Sequence, residues 1–258
     1  MSVTTALPSM TRPFFGITFS RIAGLADVLR VVESVDLSTK HEFRYILTPN
    51  ADHITRLVER PALRAIYNRA WLCLNDSRVV QLLLRIGGLE LPVVRGSDLA
   101  AELLGSPWIR DKRVVVVGGD GRVSRWLDSL SGPAVVRHYN PPMGFIDSID
   151  EIDKVVDFIE RNLPAVVFLA VGSPNQEIVA DACLRRGLRG GIALCVGAGI
   201  LMAAGIEKRA PQAFRFAGIE WLYRLVRDPR RLAARYLRDI RILRIVAREV
   251  LQDHSVAR

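Results

Sequence analysis

The chain has 258 residues, 50% hydrophobic and 24% charged. That is enough apolar material for a sizeable core, which excludes a disordered polypeptide, a collagen-like repeat and a disulfide-stapled miniprotein. The formal net charge is +9, and of 36 basic residues only Lys40, Lys112, Lys154 and Lys208 are lysine. Short apolar runs alternate with helical stretches, which predicts an α/β fold with a mostly parallel sheet. Residues 44–48 (RYILT) read as a strand, 51–69 as a helix with Ile54, Leu57 and Val58 at helical spacing, and 71–74 as a second strand. A helix over 79–84 is broken by Gly87-Gly88, and another over 97–104 offers Ser97 or Asp98 as a cap. Residues 113–117 (RVVVV) form the clearest buried strand, followed by a glycine turn and a helix to 130. Strands at 135–139, 165–171 and 192–196 enclose helices at 148–162 and 175–186. The first 205 residues read as one Rossmann-like body flanked by helices, and 206–258 as a basic helical appendage.

Ligands of parallel sheets bind at the carboxyl ends of the strands. The loops of interest are therefore Thr48-Pro49-Asn50, Asn75-Asp76-Ser77, Gly118 to Gly121, Gly172 to Gln176 and Gly197 to Gly199. Asp76 ends an apolar strand, where a carboxylate can take a proton from an incoming hydroxyl. The plainer alternative is that it caps the next helix. Thr48 and Asn50 could supply hydrogen bonds to a polar ligand. Gly118-Gly119-Asp120-Gly121 looks like a phosphate turn, since glycine lets the backbone approach an anion at a helix N-terminus. It matches neither a dinucleotide fingerprint nor a P-loop. In Gly172-Ser173-Pro174-Asn175-Gln176-Glu177, turn chemistry explains the Gly and Pro but not the Gln-Glu pair. The four histidines are scattered, no Asp-x-Asp pair occurs, and neither a metal site nor a cofactor is expected.

Cys73, Cys183 and Cys195 fit no zinc spacing and read as reduced core thiols of a cytoplasmic protein. No continuous apolar stretch marks a signal peptide near the N-terminus. The best membrane candidate, 191–205, falls short of the ~20 residues of a span. From 208 to 258 there are twelve Arg and one Lys against five acids, a local charge of +8. Pro229 can open a helix running to about 250. Leu232, Tyr236, Ile240, Leu243, Ala247 and Val250 share one face, beside a stripe of arginines from Arg231 to Arg248. Such a helix can lie on an anionic membrane surface. The alternatives are a helix docked on its own core with a solvated Arg face, and a nucleic-acid-binding stripe, for which no known module is present.

These segments together resemble the WecG/TagA/CpsF glycosyltransferases, glycosyltransferase family 26. The matching pieces are Thr48-Pro49-Asn50, the strand ending in Asn75-Asp76-Ser77, Arg95-Gly96-Ser97-Asp98-Leu99, and Gly172 to Glu177. Lys208-Arg209-Ala210-Pro211, Gly218 to Leu225 and Pro229-Arg230-Arg231 complete the set. The resemblance implies an inverting, metal-independent transfer of a sugar from a UDP-sugar to a polyprenyl-diphosphate-linked saccharide. The polymer would belong to the cell surface, and the protein would work peripherally on the inner membrane face. It implies that Asp76 is the general base and that Thr48, Asn50, Arg95 and Gln176 bind substrate. Arg224 and Arg231 would contact the donor diphosphate, with Gly118, Gly119, Gly172 and Gly197 as further candidates for that role. Where many relatives carry Pro-Asp-Gly this chain has Asn75-Asp76-Ser77, and Leu201 stands where many carry Asp. Nucleic acid is not an expected partner. The patch that the appendage covers would form a self-association surface when the appendage is loose. Two other readings are a catalytically inactive nucleotide-binding scaffold of the same fold and a nicotinamide-dependent dehydrogenase. The second needs an acidic ribose ligand ~20 residues after the glycine turn, and residues 136–138 offer none.

Overall fold

The run Val114-Val115-Val116-Val117 has no polar face, so a strand made from it must be covered on both sides. In the computed structural model it lies inside a six-stranded parallel sheet with helices on each face. The structure describes residues 11–38, 40–129, 133, 135–206, 223, 225–226, 237 and 240–256.

An antiparallel hairpin comes first, β1 (Thr11–Phe14) and β2 (Ile17–Ser20). Phe15 and Gly16 turn it, both at positive φ as a tight two-residue hairpin requires. Then follow α1 (Leu25–Glu33), β3 (Arg44–Leu47), α2 (Ala51–Glu59), α3 (Arg64–Arg69), β4 (Leu72–Cys73), α4 (Arg78–Ile86) and α5 (Gly96–Gly105). The second half of the sheet unit holds β5 (Arg113–Val117), α6 (Gly121–Asp128), β6 (Val135–Tyr139), α7 (Ile149–Asn162) and β7 (Val166–Leu169). It ends with α8 (Asn175–Arg185), β8 (Ile192–Cys195) and α9 (Gly199–Ala203). α10 (Ile242–Val256) is the described helix of the tail.

The strand order is β4-β3-β8-β7-β5-β6, with every pairing parallel. All carboxyl ends therefore share one edge. Alternation along the strands sorts residues into two cores. Tyr45, Leu47, Val115, Val117, Val167, Leu169, Ala193 and Cys195 face one layer, built with α2, α3, α4, α7, α8, α10 and the hairpin. Ile46, Val114, Val116, Val166, Phe168, Ile192 and Leu194 face the other, with α1, α5, α6 and α9.

The expected α/β architecture is present, with three local differences. The helix expected over 51–69 is two helices. Pro61 has no N–H to donate and pushes Arg60 out of the helical region, to φ −130° and ψ 75°, so α2 stops there. The hairpin, α1 and α9 were not among the expected elements. In the tail, Leu232 and Tyr236 of the expected apolar face lie outside the described residues, and α10 docks on the core through a side that shares Val250 with that face. Ile242 and Val246 are buried, and Ile245 and Val250 pack against the same core, whereas Ile240, Leu243 and Ala247 are exposed. α10 thus docks through the side of the helix that carries its β-branched residues. Glu249 accepts a hydrogen bond from the Phe15 backbone N–H (2.8 Å), and Arg241 pairs with Glu59 (2.9 Å). Among the described residues no helix is long and apolar enough to cross a membrane.

Candidate active site at the carboxyl edge of the sheet

Asp76 stands just past the end of β4. Ser77, not Asp76, caps α4, its hydroxyl accepting from the Val80 N–H at 3.2 Å. Asn75 is buried and closes the turn on itself, its side chain accepting from the Ser77 N–H and donating to the Ser77 carbonyl. The Asp76 backbone N–H donates to the Pro49 carbonyl (2.9 Å), which ties this turn to the Thr48-Pro49-Asn50 loop after β3. That leaves the Asp76 carboxylate directed across the edge, where it accepts from the Gly96 N–H at 3.3 Å. This amide is the first of α5, and a helix N-terminus stabilises an anion. The sequence-level expectation of a cap at Ser97 or Asp98 is corrected: Arg95 occupies the N-cap position and makes no side-chain capping hydrogen bond.

Gly96 also fixes the position of Thr48. A methyl group on Gly96 would lie 2.4 Å from Thr48 Oγ1, so only glycine lets α5 approach β3 this closely. Arg95 is partly buried beside it, with Nη1 3.9 Å from Asp98 Oδ2. Asp76, Thr48 and Arg95 therefore gather around the N-terminus of α5. In the same way Gly199, at the start of α9, packs onto the Ser97 backbone.

Asn50 begins a second polar group. It caps α2, accepting from the backbone N–H of Asp52 (3.0 Å) and His53 (3.4 Å). The His53 ring folds back onto it, with Nδ1 2.8 Å from Asn50 Oδ1. Its Nε2 lies 3.4 Å from Glu177 Oε1. Gln176 Nε2 donates to the same carboxylate oxygen (3.0 Å), while Gln176 Oε1 accepts from the Gly197 N–H (2.8 Å). An unbroken polar chain thus joins the ends of β3, β7 and β8. Gln176 is 4% exposed and acts as a brace between α8 and β8. Glu177 is 1% exposed, and its Oε2 is buried with no hydrogen-bond partner among the described residues. Burial alone would raise its pKa, but the hydrogen bond and charge of His53, with the Gln176 amide, outweigh it and hold the carboxyl below its ordinary value. Arg56 extends the group, donating to Ser173 Oγ (2.7 Å) and to Asp52 Oδ2 (2.8 Å). His53 and Arg56 were not among the expected site residues. Their signal was the Asn50-x-x-His53 spacing of a capping box, with Arg56 a turn further along the same face.

The glycines expected at a donor diphosphate have different surroundings. Gly118 (φ +94°) and Gly119 (φ +86°) are required by packing, since added Cβ atoms would lie 2.7 Å from the Ala170 carbonyl carbon and from Val123 Cγ2. Asp120 already occupies the N-terminus of α6, accepting from the Arg122 N–H (2.9 Å). The Arg122 side chain and backbone hydrogen bonds hold its carboxyl at about 2. The Gly197 N–H is engaged by Gln176, and also donates to the Leu169 carbonyl. Gly172 (φ +76°) faces open space. Arg224 and Arg231 lie outside the described residues. Among the described residues no group of three or more His, Cys, Asp or Glu comes together as a metal site.

Against known proteins, the family described as Glycosyl transferase WecG/TagA/CpsF matches the chain over residues 12–255. A similar curated protein is the N-acetylglucosaminyldiphosphoundecaprenol N-acetyl-beta-D-mannosaminyltransferase of Bacillus spizizenii. It is 26% identical over 221 residues, which cover 83% of this chain and 81% of that protein.

Proposed function

The chain belongs to the WecG/TagA/CpsF family of glycosyltransferases, and from that premise we propose that it moves a sugar from a UDP-sugar to a saccharide carried on a polyprenyl diphosphate, with inversion at the anomeric carbon. The observation that carries this reading is the Asp76 carboxylate. Ser77 holds the capping role that the sequence position of Asp76 suggested, and the Asp76 carboxylate is aimed across the strand ends beside Thr48 and Arg95. The named similarity to an enzyme acting on an undecaprenyl-diphosphate-linked sugar supports the acceptor class.

In the proposed reaction the acceptor hydroxyl gives its proton to Asp76 as its oxygen attacks the anomeric carbon. The carbon–oxygen bond to the donor diphosphate breaks on the opposite face, and UDP leaves with the bonding pair. A single displacement of this kind inverts the configuration. Negative charge grows on the departing diphosphate, so cations fixed nearby would act on the transition state. Arg95, at the N-terminus of α5, is proposed for that role, as are Arg224 and Arg231. Thr48 and Asn50 would orient the sugars, and the His53-Glu177-Gln176 chain would hold Asn50 and the β8 loop in place. The outer face of α10, with Arg244 and Arg248 beside Leu243 and Leu251, suits a peripheral position on an anionic membrane.

The test is acceptor-dependent UDP release from a panel of UDP-sugars with short-chain polyprenyl-diphosphate saccharides. Asp76→Asn should lower turnover by about 10²-fold or more while the protein stays folded. Undiminished turnover in Asp76→Asn would remove Asp76 as the base. UDP binding without release from any pair would favour an inactive scaffold.

A further inference from the structure

A groove of about 450 Å³ opens beside the Asp76 turn. Its walls come from the β2–α1 connection through Arg21, from α4 through Arg78, Gln81 and Arg85, and from the loop that carries Glu90 and Val93. The position relative to Asp76 is fixed twice. Arg78 follows the Ser77 cap directly, and Val93 is bridged to Asn75. Arg78 and Arg85 are seven residues apart on one helix, two turns or about 10 Å along its axis. Arg21 belongs to a separate segment, so the three guanidinium groups converge from two directions on a space whose one acidic lining residue is Glu90. Among the described residues neither Arg21 nor Arg85 has an ion-pair partner. Leu82 and Ile86, on the same helix, are 60% and 76% exposed.

An excess of arginine in a groove favours a ligand with several phosphate oxygens, because the guanidinium fork binds them in pairs. Apolar residues along the same helix favour a ligand whose anionic part is joined to a hydrocarbon. We propose that this groove binds the diphosphate of the lipid-linked acceptor, with the polyprenyl chain leaving over Leu82 and Ile86. The identity of the ligand rests on the function proposed above. The geometry is consistent with it, since the sugar is attached directly to the diphosphate and would then lie at the neighbouring Asp76. Arg21 and Arg85 would be acceptor-binding residues, separate from any contact with the donor.

The test uses the full chain and farnesyl diphosphate, a water-soluble polyprenyl diphosphate, followed by calorimetry. The double variant Arg21→Gln/Arg85→Gln leaves Arg78, close to Asp76, in place. It should bind farnesyl diphosphate at least about 10-fold more weakly, a loss of about 1.4 kcal/mol. Inorganic pyrophosphate should compete in the wild type. In turnover the variant should raise KM for the lipid-linked acceptor and leave KM for the nucleotide sugar unchanged. Leu82→Ser/Ile86→Ser should weaken farnesyl diphosphate but not pyrophosphate. Unchanged farnesyl diphosphate affinity in the arginine variant overturns the proposal. So does a loss confined to flotation with phosphatidylglycerol vesicles, which would make the groove a general membrane contact. The two readings fail separately. Transfer with an unaltered acceptor KM defeats the groove alone, whereas arginine-dependent diphosphate binding without any transfer defeats the proposed reaction alone.

Discussion

Set side by side, the turn after β4 and the turn after β5 look like equivalent ligand loops. Each follows an apolar parallel strand at the same edge of the sheet, each presents an aspartate, and each leads into a helix. Asp120 is consumed locally: it caps α6 and pairs with Arg122. Asp76 has that duty taken over by Ser77, and its carboxylate reaches instead to the first amide of a helix 20 residues away in sequence. The glycines differ in the same sense. Gly118 and Gly119 are demanded by Ala170 and Val123, which are structural neighbours, whereas Gly96 lets α5 press against Thr48 in the candidate site. A carboxylate at a strand end becomes available for chemistry when a neighbouring residue relieves it of capping.

Removing the charge from each aspartate is the strongest way to break this contrast. Asp76→Asn should cost about 10²-fold or more in turnover. Asp120→Asn should leave turnover near the wild-type rate, since asparagine caps a helix as well as aspartate does. Comparable losses in the two variants would erase the distinction and restore the Gly118 turn as part of the site. Gly118→Ala is the next largest effect. It places a side chain at φ +94° against the Ala170 backbone, and should destabilise the fold by about 1–3 kcal/mol. For a chain of this size that is about 2–4 °C of Tm per kcal/mol. The folded fraction should still bind UDP normally. Loss of UDP affinity without loss of Tm would assign the turn to the donor.

The sheet was legible because most of its strands carry apolar runs and end at Gly, Pro or Asn. The strand predicted at 113–117 and the one at 135–139 coincide with β5 and β6. The hairpin was not, because its signal is two short segments around Phe15-Gly16 that gain their burial from α3 and α10, far away in sequence. In the tail, helical spacing left open whether the helix docks on its own core, and the docked side is set by contacts with Phe15, Glu59 and Gly87 that no local pattern encodes. Asp76 could be picked out by its place at a strand end, but that Ser77 rather than Asp76 caps α4 is decided by the Ser77 hydroxyl. The spacing of His53 from Asn50 carried the signal of a capping box, but its link to Glu177 was not legible, because that partner lies on another helix.

That buried pair gives the finest test of the contrast, because it sits on the Asn50 side and has no counterpart at Gly118. Glu177 has a folded-state pKa below its ordinary 4.5, so its contribution to stability is fully present above that value. It is lost as the pH falls through the lower, folded value. Glu177→Gln keeps the shape and removes the titration. The variant should be less stable than the wild type at pH 7, by about 2–4 °C if the pair contributes on the order of 1 kcal/mol. The gap should narrow once the pH drops well below 4.5. Substrate affinity should fall together with the stability, because the carboxylate holds His53 against Asn50 and Gln176 against the Gly197 amide. A gap that does not change with pH would mean that Glu177 contributes packing alone. The Asn50 loop would then be positioned by its own capping box, as locally as Asp120 is by Arg122.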